Sequence, residues 1–99
     1  MQNWTDTDPC QFGLPKRVRL KQSETNEFAL VIERKSRIIM RDGQRILHYA
    51  ELIRNRNPVA HISLITTAPV CRKTTRLLKE QHITVIRMES EELQARAFG

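Results

Sequence analysis

Glycine is scarce in this chain, with three residues in 99, at positions 13, 43 and 99. The Gly-rich loops that wrap nucleotide phosphates cannot be built from so few, which excludes the usual nucleotide-binding fingerprints. Aromatic residues make up 5% of the chain, with one Trp and one Tyr, too few for a platform that stacks the bases of single strands. The two cysteines, Cys10 and Cys71, stand far apart without a CxxC or Cys/His spacing. That argues against a zinc site and for reduced thiols. No GxSxG elbow occurs, and His48, His61 and His82 are scattered, so nucleophilic hydrolysis has no visible machinery. His61 and His82 read as structural, the latter complementing the dipole at a helix end. No apolar run approaches membrane-spanning length, and MQNWTDTDPC has neither the basic start nor the apolar stretch of a signal peptide. The expected setting is the cytoplasm, with no membrane partner.

What is present is an ordinary globular balance, 39% hydrophobic and 28% charged, in a length that suits one domain with one core. Charge is the distinctive property. The net value is +6, and between Lys16 and Arg87 lie 16 of the 17 Lys/Arg residues against 6 of the 11 acidic ones, a balance of +10. A field of that sign attracts polyanions, nucleic acid first and acidic proteins or membrane surfaces behind.

The apolar pattern predicts the elements. Residues 1–15 mix Asp6, Asp8, Pro9, Gly13 and Pro15 with Trp4, Phe12 and Leu14, as an irregular arm whose aromatics tuck onto the core or await a partner. KRVRLK alternates basic and apolar residues at the period of a strand, and QSETNE is turn chemistry. FALVIERKSRIIM, rich in β-branched residues, returns as an antiparallel strand. Asp42 caps a helix with Ile46, Leu47, Ala50 and Ile53 at helical spacing, ending near Asn55–Asn57 before Pro58. AHISLITTAP is a strand. VCRKTTRLLKEQ is a helix beginning near Pro69 or Val70, turning Val70, Leu77 and Leu78 inward. ITVIRM is the last strand, and residues 89–99 form an acidic tail or a short helix capped by Ser90. The expected fold is α/β: one domain over 16–88, a mixed sheet with an N-terminal antiparallel hairpin followed by β-α-β-α-β, and helices packed on the sheet.

Within FALVIERKSRIIM, Glu33 and Lys35 are two residues apart, so in an extended segment they share a face while Arg34 points away. A carboxylate there can hold Mg²⁺, and a neighbouring ammonium can orient or help deprotonate an attacking water and balance charge at a scissile phosphate. A cross-strand ion pair asks for nothing more than the same residues. Arg17, Arg19 and Lys21 form a prospective basic row along one strand face, and Arg72, Arg76 and Lys79 a second row at i, i+4, i+7 on a helix. Either row can follow phosphates or simply be solvated.

A hydrophobic strand ending in Glu33-x-Lys35, then helix, HISLITT, helix and ITVI, resembles the core of the PD-(D/E)XK nuclease superfamily. Within it the likeness is nearest to Holliday junction resolvases and Mrr-like restriction endonucleases, and it covers residues 16 to 87. The resemblance implies Glu33 as a metal ligand, Lys35 as the catalytic lysine, Mg²⁺ as cofactor, and duplex or branched DNA as substrate for a metal-dependent endonuclease. It also implies an upstream acidic residue on the preceding hairpin. GLPKRVRLK carries basic residues there, the nearest carboxylates are Glu24 and Glu27, and Glu27 lies about 20 Å from Glu33 by strand rise. On this resemblance the pair reads as the remnant or the minimal form of a metal site. Two other expectations stand beside it. One is a non-catalytic module of this architecture that binds nucleic acid, a protein partner or a second copy as a homodimer. The other is a small Rossmann-like domain whose Glu33 and Lys35 make a surface ion pair.

Overall fold

A computed structural model describes residues 3–24 and 26–89. It contains five strands, β1 (Thr5–Thr7), β2 (Arg19–Gln22), β3 (Glu27–Ile32), β4 (His61–Thr66) and β5 (Ile83–Arg87), and two helices, α1 (Met40–Arg56) and α2 (Arg72–Glu80), with a 3-10 turn at Pro9–Phe12. The sheet order is β1-β2-β3-β4-β5, antiparallel across the first two junctions and parallel across the last two. The mixed α/β fold expected from the residue pattern is the fold observed.

Because β3, β4 and β5 are sequential neighbours joined by helical crossovers, both helices lie on one face. There Leu20, Phe28, Leu30, Ile62, Leu64 and Ile83 pack against Ile46, Ala50, Ile53 and Leu78. Each fully buried Leu or Ile contributes about 1.5–3 kcal/mol of transfer free energy. Phe12 reaches the same core and meets Phe28 edge-on, ring centroids 5.2 Å apart. On the other face Ala29, Val31 and Ile65 are buried beneath Trp4, Ile86 and Met88.

Several local expectations are corrected. The expected irregular arm over 1–15 is not irregular throughout: Thr5–Thr7 extend the sheet, with Asp6 opposite Lys21. FALVIERKSRIIM is not one strand. β3 leaves the ladder after Ile32, because β2 reaches only Val31 and β4 only Ile32 in register. Ile38 then makes a single parallel bridge to Val70, and α1 begins at Met40. Asp42 stabilises that helix from its third position, accepting the Ile39 backbone N–H at 2.9 Å, which satisfies an orphan donor of the first turn. The start of α2 is delayed to Arg72 because the Pro69 carbonyl accepts from Ile38 N–H and Cys71 N–H donates to Ile38 O, holding residues 69–71 extended.

The deepest residues of α2 are Thr74 and Leu78 rather than Val70 and Leu77. Thr74 packs against Gly43, where an added Cβ would lie 2.7 Å from the Thr74 Cγ2. The glycine thus allows α1 and α2 to approach closely. His82, just past α2, has φ 61. Its carbonyl accepts from Arg54 Nη2 at 3.2 Å, tying the end of α2 to α1. The acidic tail after Glu89, including Ser90, lies outside the described residues.

Candidate functional site

The segment between β3 and α1 is organised by Arg34. Its N–H donates to Thr67 Oγ1 at 3.1 Å and its carbonyl accepts from the same hydroxyl at 3.2 Å. Its guanidinium donates to the carbonyls of Ser36 and Arg37 at 3.2 and 3.1 Å and pairs with Asp42. The Arg34 hydrogen bond is the chief reason that the Asp42 carboxyl sits below its usual range; burial opposes it, and the Ile39 N–H and the Arg34 and Arg45 charges add to it. Arg34 thus bends the chain out of the sheet, and it stays on the cleft with Glu33 and Lys35 rather than pointing away as strand alternation would have it.

Beyond the bend, Glu33, Lys35, Thr67, Pro69 and Arg87, with Arg34, line a cleft of about 420 Å³ at the carboxyl ends of β3, β4 and β5. Neither Glu33 nor Lys35 is inside a strand, since β3 stops at Ile32, but both belong to this cleft. In open parallel sheets that end is where ligands bind. Arg19 Nη1 donates to Glu33 Oε1 at 3.1 Å. An exposed pair of this kind is worth about 0.2–1 kcal/mol, and here it also decides the electrostatics. Among the described residues Glu33 is the one carboxylate lining the cleft, against Arg34, Lys35 and Arg87. Among the described residues no three His, Cys, Asp or Glu side chains converge as a metal-binding group. A divalent cation needs an excess of oxygen donors and negative charge, so this donor set does not fit the Mg²⁺ that the nuclease resemblance implies.

A larger groove of about 820 Å³ adjoins it across Pro69, lined by Arg37, Val70, Cys71, Arg72, Thr75, Arg76, Lys79 and Glu80. Arg72, Arg76 and Lys79 are exposed along α2, as their spacing predicts, and span about 10 Å by helical rise. Arg37 faces them from the β3–α1 connection, and its part in the groove was not visible in the sequence because Ile38–Val70 pairing brings the two segments together. At the groove's end Cys71 caps α2, its Sγ 2.8 Å from the Thr74 hydroxyl and 3.4 Å from the Thr74 N–H. Those contacts, the side-chain one first, lower the thiol pKa; slight burial opposes them, and the Lys73 N–H and the Arg37 charge add to the lowering.

The other basic row is not assembled. Arg17 sits in the turn before β2, Arg19 pairs with Glu33, and Lys21 is only 5% exposed. The Lys21 ammonium is ion-paired with Asp6. β1, absent from the sequence expectation, is what covers it.

No protein-family model matches the chain, and no curated protein sequence does. Among solved structures, a repair endonuclease from Pyrococcus abyssi superposes with a TM-score of 0.66 at 8% sequence identity, over 89% of this chain and 39% of that one. The chain thus spans about two fifths of that protein's length, and the likeness is one of fold: a nuclease-like α/β core.

Proposed function

We propose that this chain binds DNA, duplex or branched, along the groove formed by α2 and the β3–α1 connection, without cutting it. The observation that carries this reading is the groove itself: Arg37, Arg72, Arg76 and Lys79 line one concavity, and among the described residues none of the four forms an ion pair. Charges without ion-pair partners among the described residues, three of them spaced along one helix face, are suited to the phosphate backbone, which contributes affinity without reading sequence. Among the described residues no aromatic side chain lines the groove, which favours a duplex surface over stacked single strands. The name of the structural neighbour, a repair endonuclease, supports DNA as the polyanion. Lys35 and Arg87 continue the cationic path past Pro69 into the Glu33 cleft.

The test is fluorescence anisotropy with a labelled duplex, a four-way junction and a single strand across a salt series. Affinity should fall linearly in log–log form, by about 0.9 per phosphate neutralised on duplex, and duplex or junction should outcompete the single strand. Absence of binding, or affinity indifferent to salt, would reject the reading. Cleavage would be reinstated by Mg²⁺- or Mn²⁺-dependent nicking of plasmid or junction DNA that vanishes in Glu33→Gln and in Lys35→Ala while both variants stay folded.

A further inference from the structure

We infer that Arg19 occupies, as a protein-borne cation, the place on the Glu33 carboxylate where a divalent ion would have to sit, so that the cleft keeps its nuclease-like form without taking up metal. The geometry begins with the register. Arg19 is paired with Val31 across the β2–β3 hairpin, and Glu33 lies two residues beyond Val31 on the same side of the chain. A cross-strand diagonal of this kind separates the two residues by about 7–8 Å, their Cβ atoms by somewhat less, a gap that the long guanidinium side chain closes to 3.1 Å.

Arginine stays charged throughout the accessible pH range, so no ordinary change of pH removes the cation from beside the carboxylate. The remaining charged groups of the cleft, Arg34, Lys35 and Arg87, add repulsion for any metal ion. An aspartate at position 19 would reverse this. Two carboxylates on Cβ atoms about 7 Å apart can both reach one ion with metal–oxygen bonds of about 2.1 Å, and the local charge would change by two units. A single residue on β2 therefore decides whether the cleft holds an external cation. This inference is independent of whether the groove on α2 binds DNA.

The test is Mn²⁺ titration of the isolated protein, following free Mn²⁺ by electron paramagnetic resonance, with circular dichroism as the fold control. Wild-type protein should take up no Mn²⁺ at submillimolar concentrations. Arg19→Asp should bind at least tenfold more tightly than wild type and should lose that binding in the Arg19→Asp/Glu33→Gln double variant. Two results would overturn the inference: wild-type binding that Glu33→Gln abolishes, or a folded Arg19→Asp that takes up no more Mn²⁺ than wild type. Should Arg19→Asp fail to fold, Arg19→Asn serves in its place. It removes the cation and retains an oxygen donor, so uptake above wild type supports the inference and uptake equal to wild type overturns it.

Discussion

The antiparallel half of the sheet and the parallel half treat positive charge in opposite ways. In the hairpin half, Lys21 is paired with Asp6 and Arg19 with Glu33. In the parallel half, Arg37, Arg72, Arg76 and Lys79 share one groove without ion-pair partners among the described residues. The difference follows from how each half is built. Antiparallel register sets side chains opposite one another at fixed distances, so a basic residue on one strand meets whatever its neighbour presents. Arg37 in the β3–α1 connection and the cations on the outer face of α2 meet no ion-pair partner among the described residues, and they remain available. Composition alone would have treated all of these residues as one basic surface.

The largest test of this contrast is to neutralise the groove. Arg72→Ala/Arg76→Ala/Lys79→Ala should weaken duplex binding by about two orders of magnitude at low salt and reduce the salt slope by nearly 3, close to 0.9 for each phosphate contact removed. Arg19→Ala, measured by the same anisotropy titration, should change the slope little. An equal loss from Arg19→Ala would erase the distinction between the halves.

The groove also depends on α2 lying close to α1. Gly43→Ala should destabilise the fold by about 1–3 kcal/mol through overpacking, despite alanine's better helix propensity, because of the 2.7 Å approach to Thr74. Adding Thr74→Ser removes the opposed methyl and should restore much of the loss in urea denaturation. Next in size, Asp42→Ala should cost about 1–2 kcal/mol by removing the cap on the first turn of α1 and unpinning Arg34. The folded-state pKa of Asp42 is lowered, so its contribution is whole above about pH 4 and fades as pH falls through the folded value. The gap between wild type and Asp42→Ala at pH 7 should therefore narrow at pH 3. The smallest effect is expected in the hairpin half. Lys21→Met keeps an apolar stem of similar length where the ammonium meets an exposed Asp6, and stability should shift by less than about 1 kcal/mol, since a replaced buried pair is often neutral. A thermal melt shifted strongly downward would show that the pair holds β1 in place.

How much was legible beforehand varies with the range of the forces involved. The two helices, the strands β2 to β5 and their order follow from apolar periodicity, which is local and survives in the linear pattern. The row on α2 was legible for the same reason, since Arg72, Arg76 and Lys79 belong to one helix. The supposed row on β2 failed because strand alternation says which residues share a face and not what covers that face. β1 was missed because a three-residue strand among Asp, Thr and Pro carries almost no periodicity. Arg37 entered the groove through the Ile38–Val70 bridge, a contact between segments more than thirty residues apart in the chain. Thr74 was passed over as polar, though its inward position is set by the glycine on the neighbouring helix.

The Glu33 cleft marks the boundary most clearly. The linear order by itself determined an α/β sheet with a β-α-β-α-β second half, a strongly basic middle, and a Glu-x-Lys at the end of a buried strand, because hydrophobic spacing and net charge are properties of neighbouring residues. Only the tertiary structure decided what that glutamate meets. β3 ends one residue before it, and Arg19 reaches it across the hairpin. Whether a carboxylate faces an ion, a substrate or a guanidinium depends on strand register and side-chain reach, and those are fixed when the strands pair.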